Sequence, residues 1–583
     1  MLRCVIMNGA MNNMINDPRV YKHAVNLHAI YHHNTEVRPD KTVFRYYGSD
    51  KQIADLTYGQ LGENIERMTG AFRAKGLSGK RIAVIGETSH EWITAFFAAV
   101  GAGAVIVPLD KELLYNEIKG FLDTAEVTAI VMSPKFSEKY DELKEAGVFD
   151  NIDIIIRGED GTEWVNDDKR LYKFREFLRF DDGVRMTPAE IYIKPPRTDM
   201  SIMLFTSGTT GTSKCVMLSE SNIVNCACSA VAAVDFHEDD VSMSVLPLHH
   251  TYELAIIVSQ FILGTTICIN DNLKHVLKNL NTFKPTALTL VPLFVSTFAK
   301  KIRDEVRKKG KERQLKIGMA ASNAMRFVGV DMREKLFADI LTAFGGNLKK
   351  IICGGAAMDP ELTKFFDSFG IDLCEGYGIT ECSPLIAVNP FYKKKIGSVG
   401  PAVKCCEVRI DETGADEKGH MTGEIQVRGS NVMLGYYKNP EANAAVFTPD
   451  GWFRTGDIGY MDKDGYIYIT GREKSVIVLN NGKNVFPEEI EEYLGKIDRI
   501  SECVVVGRKK EETGDINLTA VVYPDFSRYE PDTDINDIAA DIKARVLEMN
   551  KKLPSFKQIR NIEIRKTEFE KTTSRKIKRF LVK

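Results

Sequence analysis

The sequence predicts an α/β protein with a large N-terminal domain of doubly wound sheets that includes a small β-barrel-like part, followed by a small α+β C-terminal domain. Three observations carry this. From Lys80 to about residue 354, short apolar runs alternate with helical patterns, as expected of parallel strands covered on both faces. From Gly419 to Gly471 the texture changes to glycine-punctuated strands (GEIQVRG, GYIYITG), which read as hairpins or a small barrel. From about 474 onward come short strands (CVVVG, NLTAVVYP), an amphipathic helix near Asp534 to Asn550 and a basic tail, a separate folding unit by its size. The expected domains are residues 1–470 and 471–583.

The elements follow in order. RIAVIG is a strand, HEWITAFFAAVGAG a helix, AVIVPL a strand, and a further helix leads to TAIVMS. Trp92 to Leu109 carries no charge for 18 residues, long enough to raise a membrane span. Gly101, Gly103 and Pro108 interrupt it, so it reads as a buried helix entering a buried strand. GEDGTEWVNDDKR is a surface loop, and SIMLF, VSMSVL, TTICIN, TALTLV and KKIIC are five more buried strands. Asp359-Pro360-Glu361 opens a helix, because Asp caps, Pro tolerates the first position and Glu complements the dipole.

Composition excludes several classes. With 583 residues, 44% of them hydrophobic, the chain can bury sizeable cores. Lys plus Arg total 78 against 80 Asp plus Glu, a net charge of -2, so no global field draws it to nucleic acid. Eleven scattered cysteines suit a reducing cytoplasm, and without a CxxC pair, an HExxH or a histidine cluster a zinc site is not expected. The first 17 residues have no apolar core of useful length and make a poor signal peptide.

The strongest chemical signal is LFTSGTTGTSK, Leu204 to Lys214, with two glycines, six hydroxyl residues and a lysine between a strand and a helix that Ser219 could cap. Glycines let backbone N–H groups turn to an anion, hydroxyls donate hydrogen bonds and lysine supplies charge, so the loop suits polyphosphate. It is not a Walker A loop, since Ser213 stands before Lys214 and Cys215 follows it.

Downstream, in order, come LPLHHTYE (246–253), GGAAM (354–358), YGITECSP (377–384), GEIQVRGSNVMLGYY (423–437), GWFRTGDIG (451–459) and GREKSVIVLNNGKNVFPEEIE (471–491). With the loop, these seven motifs resemble the adenylate-forming superfamily of acyl-CoA synthetases, adenylation domains and beetle luciferases over nearly the whole chain. The resemblance implies that Thr206, Ser207, Gly208, Thr209, Thr210 and Lys214 grip the ATP phosphates, with Ser213 replacing the family's usual proline. It counts Gly354, Gly355, Ala356, Tyr377 and Gly378 among the nucleotide-binding residues, with Tyr377 stacking on adenine, Thr380 at the α-phosphate and Glu381 as the Mg²⁺ ligand. Alone, Tyr377 would read as a core aromatic and Glu381 as a surface acid.

The resemblance further assigns Asp457 to the ribose hydroxyls, Arg472 to the nucleotide, Lys474 to a hinge and Gly482 to the border of a pantetheine tunnel. Asp457 alone would read as a turn residue and Asn481-Gly482 as a hairpin turn. His250 matches the histidine near the acyl carboxylate, and adjacent His249 competes for that role. Lys576, in KTTSRKIKRF, resembles the lysine that stabilises adenylate formation, although Arg575 stands where the family has glycine; Lys571 is the alternative, and a solvated basic tail is the plain reading.

The implied reaction converts a carboxylate and ATP into an acyl adenylate and pyrophosphate, after which a thiol displaces AMP while the mobile C-terminal domain rotates between the steps. ATP, Mg²⁺ and coenzyme A are the implied cofactors and acceptor. GKNVFPEEIE, LPLHHTYE and the basic segment after VPLFVSTFA look most like long-chain fatty acyl-CoA synthetases. Lys300 to Lys316 holds nine Lys/Arg against three Asp/Glu, either a solvated helix face or a peripheral membrane contact. An acyl carrier protein as the thiol partner, another free-standing adenylating enzyme and a non-catalytic acyl- or nucleotide-binding protein are the alternative readings.

Overall fold

The computed structural model describes residues 23–159, 168–206, 213–327, 329–415, 419–480, 484–509, 516–571 and 577–582. Ser207, Gly208, Thr209, Thr210, Gly482 and Lys576 lie outside the described residues, as do the first 17 residues and most of GEDGTEWVNDDKR.

The chain divides into two compact units. The first, built from residues up to Thr206, Ser213–Glu407 and Val427–Gly451, contains two eight-stranded sheets. One runs Leu385–Val388, Asp372–Gly378, Lys350–Gly354, Ala287–Leu290, Val241–Ser244, Thr266–Ile269, Thr42–Tyr47 and Ile53–Thr57. Its inner pairs are parallel and its two outermost pairs antiparallel. The other runs Gly435–Tyr436, Lys214–Ser219, Met200–Thr206, Val105–Leu109, Arg81–Ile85, Ala129–Met132, Ile154–Arg157 and Leu171–Lys173.

All the apolar runs named above in this unit form strands. Val105–Leu109 and Ala129–Met132 are buried at every position, which is why they read as unbroken apolar segments rather than alternating ones. Trp92 lies in the buried helix His90–Gly101, capped by Ser89, and the chain then enters Val105–Leu109. Among the described residues no helix is long and apolar enough to cross a membrane. Asp359 caps the helix Pro360–Asp367 by accepting from the Glu361 N–H, as its sequence predicts.

One local difference matters for the site. The segment after the glycine loop is a strand, Lys214–Ser219, antiparallel to Met200–Thr206 with Thr206 opposite Lys214. These two strands are the arms of a hairpin, and the helix Glu220–Ala233 begins one strand later. Ser219 does cap it: Ser219 Oγ accepts from Asn222 N, and Asn222 Oδ1 accepts from Ser219 N.

The second unit takes Val408–Gln426 and the chain from Trp452. In one of its sheets Phe453–Met461 pairs antiparallel with Tyr466–Arg472. In another, Ile500–Lys509 pairs antiparallel with Ile516–Pro524, which is parallel to Asn561–Ile564. The helices Pro487–Gly495 and Ile535–Asn550 bury Ile490, Leu494, Ile538, Ile542 and Val546 in the core shared with this sheet.

Candidate active site

In the first unit the predicted residues gather at the carboxyl ends of parallel strands, where open α/β sheets bind ligands. Lys350–Gly354 and Asp372–Gly378 end side by side, with Gly354 opposite Gly376. This brings GGAAM and YGITE to one rim. Two glycines there are structurally required: Gly355 has φ +85°, and a Cβ on Gly378 would lie 2.1 Å from the Pro384 carbonyl oxygen. Tyr377 is buried, and the turn Thr380–Cys382 follows with Glu381 half-buried.

The second sheet supplies Thr206 and Lys214 from the ends of the hairpin, with Thr206 Oγ1 donating to the Lys214 carbonyl at 3.3 Å. Tyr436, to which the sequence assigned no role, joins the two groups. Its ring lies 4.6 Å from Lys214 Nζ, and its hydroxyl donates to Glu381 Oε1 at 2.8 Å. The arrangement follows from backbone: Gly435–Tyr436 adds to the edge of Lys214–Ser219, and Met433 N donates to the Glu381 carbonyl at 2.8 Å. Asn222, already holding its helix cap, donates to the Ser430 and Val432 carbonyls and fixes the approach of this segment. Burial, reinforced by Glu381, raises the Tyr436 phenol, so it remains a donor at neutral pH. Burial pushes the Cys215 thiol up to about 12, which leaves this neighbour of Lys214 without nucleophilic thiolate.

His250 stands at the N-cap of the helix Thr251–Leu263, with the His249 ring 4.2 Å away. Burial, then Lys111, lowers the His249 imidazole to about 3. Its 3.5 Å approach to Asp110 is accordingly that of a neutral ring to a carboxylate, not an ion pair. One helical turn on, Glu253 is fully buried; Ser244 Oγ donates to Oε1, while Oε2 has no hydrogen-bond partner among the described residues. Burial raises this carboxyl from 4.5 to about 8, so it is mostly protonated at neutral pH. A single charged residue in the otherwise uncharged helix TYELAIIVSQFIL was the available signal.

The Glu253 shift has a pH consequence. The folded chain keeps a proton that the unfolded chain releases, so this group's contribution to stability falls as pH rises from about 5 to about 8, by at most about 1.4 kcal/mol per unit. Glu253→Gln removes that titration. Scanning calorimetry should find the variant's melting temperature gaining on wild type across this window; a pH-independent difference would refute the assignment.

In the second unit, Asp457 is buried and faces Arg472 across the strand pair, with Arg472 Nε donating to Oδ1 at 2.7 Å. Thr455-Gly456-Asp457 lies within the strand Phe453–Met461 and not in a turn, and it is fixed by Glu424, which accepts from Gly456 N at 3.1 Å, and by Thr455, which donates to the Ile425 carbonyl. Lys474 sits in the short exposed turn Glu473–Ser475. Lys571 is held by Glu502 and by Glu568, the latter at 2.7 Å; burial pulls its ammonium down, but these hydrogen bonds outweigh it and raise it.

A family model described as AMP-binding enzyme matches residues 31–437, and one described as AMP-binding enzyme C-terminal domain matches 474–582. The chain belongs to the AMP-binding enzyme family. This is the adenylate-forming superfamily that the motifs resemble, and the AMP-binding enzyme has its α/β fold. It is similar to the long-chain-fatty-acid–CoA ligase FadD15 of Mycobacterium bovis, 28% identical over 591 residues covering 93% of each chain. It is also similar to the indoleacetate–CoA ligase of Aromatoleum aromaticum, 29% identical over 496 residues, 84% of this chain and 86% of that one. A crystal structure of the anthranilate CoA ligase AuaEII in complex with anthranoyl-AMP superposes with a TM-score of 0.74 at 20% identity, covering 98% of both chains.

Proposed function

We propose that this AMP-binding enzyme is an AMP-forming acid–thiol ligase that activates a long-chain fatty acid with ATP and transfers the acyl group to coenzyme A. The observation that carries the reading is the convergence of Lys214, Tyr436 and Glu381, a cation and a carboxylate tied through one aromatic at the end of the glycine-loop hairpin. A carboxylate has no leaving group, so ATP supplies one: carboxylate oxygen attacks the α-phosphorus and pyrophosphate departs. The CoA sulfur then attacks the acyl carbon, loses its proton and expels AMP.

In this reading Thr206, Ser207, Gly208, Thr209, Thr210 and Lys214 hold the phosphates. Gly354, Gly355, Ala356, Tyr377 and Gly378 hold the nucleotide, with Tyr377 on adenine and Thr380 at the α-phosphate, while Asp457 holds the ribose hydroxyls and Arg472 contacts the nucleotide. His250 lies by the acyl carboxylate, and Lys474 and Gly482 serve the thioester step. Glu381 presents the hard oxygen that suits Mg²⁺, an ion that offsets charge on phosphate oxygens. Residues 1–470 are assigned to the adenylation domain and 471–583 to the lid, with the family matches at 31–437 and 474–582 in support, while the second compact unit also takes Val408–Gln426 and the chain from Trp452. The cytoplasm is the proposed location.

Long-chain acid is the finer part of the proposal, supported by the FadD15 likeness and by the basic segment from Lys300. The relatives act on different acids by name, so the test is AMP release with fatty, indole, aryl and amino acids, offered with CoA or acyl carrier protein. Fastest release with a long-chain acid and CoA is expected. A preference for aryl or amino acids, or for the carrier protein, would overturn the substrate or acceptor assignment.

A further inference from the structure

The helix pair Pro292–Lys308 and Glu312–Phe327 takes no part in the chemistry above. The first helix buries Val295, Phe298, Ala299 and Ile302, at spacings i, i+3, i+4 and i+7, against the core beneath the first sheet. The second is amphipathic in an unusual sense. Leu315 and Met319 rest on that core, yet the opposite face presents Ile317, Ala320, Ala324 and Phe327 to solvent, at i, i+3, i+7 and i+10. Ile317 is 58% and Phe327 93% exposed.

A water-facing apolar stripe needs an occupant, and the charge beside it indicates which. In a chain of net charge -2, Lys300 to Lys316 holds nine Lys/Arg against three Asp/Glu. Lys308, Lys309, Lys311, Arg313 and Lys316 are all exposed around the turn joining the helices. Two of the three acids are engaged locally, Glu305 by Lys308 at 3.2 Å and Glu312 by Arg307 at 3.1 Å.

We propose that this helix pair docks on an anionic lipid surface, its lysines and arginines at the headgroups and Ile317 and Phe327 in the acyl boundary. Basic residues flanking a phenylalanine-bearing apolar face are what an interfacial helix requires. A nucleic acid would satisfy the charges and leave the stripe in water. The proposal extends the reading of function without depending on it, because docking requires neither ATP nor acid.

The test is flotation of the full chain, without substrates, on vesicles of phosphatidylcholine alone or mixed with phosphatidylglycerol. Binding is expected on the anionic vesicles only and should weaken with salt. A basic residue at such a surface contributes roughly fivefold, so Lys309→Gln/Lys311→Gln/Lys316→Gln should weaken binding roughly a hundredfold. Ile317→Ser/Phe327→Ser should weaken it about tenfold or more while the salt dependence persists. An unchanged melting temperature in both variants separates lost docking from lost fold. Three results would overturn the proposal: no binding to anionic vesicles at low salt, binding that survives in both variants, or binding of an acidic protein in place of vesicles.

Discussion

Lys576→Ala is expected to slow acyl-adenylate formation by roughly 10²-fold or more while leaving thioester formation from supplied acyl adenylate near the wild-type rate. The reason is where charge appears. In the first half-reaction it builds on oxygens around the α-phosphorus, and a positioned ammonium stabilises that build-up more than it stabilises bound ATP. In the second, the leaving group is already AMP and no pyrophosphate is expelled. Single-turnover measurement of each half-reaction separates the two, and equal loss in both would contradict the assignment. Lys571 provides the internal comparison. Glu502 and Glu568 already hold its ammonium, so Lys571→Ala should affect adenylation far less than Lys576→Ala.

Glu381→Gln should cost nearly as much, by a different route. Glutamine retains an oxygen that can accept from the Tyr436 hydroxyl, now at 2.8 Å, so the local fold should persist. It loses the negative charge that makes Glu381 a fit for Mg²⁺. The Mg²⁺ concentration giving half-maximal adenylation should rise roughly tenfold to a hundredfold, with a lower plateau. Tyr436→Phe distinguishes the carboxylate from its support: the ring beneath Lys214 remains, only the hydroxyl is lost, and the expected decrease is roughly tenfold or less. An unchanged Mg²⁺ dependence in Glu381→Gln would remove that residue from the metal site.

Much of the fold was legible because its strands are buried on both faces. Runs such as AVIVPL and TAIVMS leave few alternatives once glycines and charges bound them. The strand after the glycine loop was not legible. KCVMLS is short, starts with a lysine and ends on a helix cap, so nothing local separates a strand from the entry to a helix. Its strand character comes from pairing with Met200–Thr206 on one side and Gly435–Tyr436 on the other.

The same distinction governs the site. Motifs located Lys214 and Glu381, but Tyr436 acquires its place only when a strand from far along the chain adds to the hairpin edge and sets its hydroxyl on a carboxylate 55 residues away. Glu253 stood within a quoted motif, yet its raised carboxyl depends on burial that a linear pattern does not display. The outward apolar face of Glu312–Phe327 has the same origin: the sequence displayed the positive charge, and only packing shows which side of the helix faces water.

The most direct test of the central claim is exchange of labelled pyrophosphate into ATP by the purified full chain with Mg²⁺ and no CoA. A reversible adenylation step predicts exchange that depends on a carboxylic acid, is fastest with a long-chain fatty acid and collapses in Lys576→Ala. Absence of exchange in folded protein with every class of acid, or exchange indifferent to the acid, would contradict it.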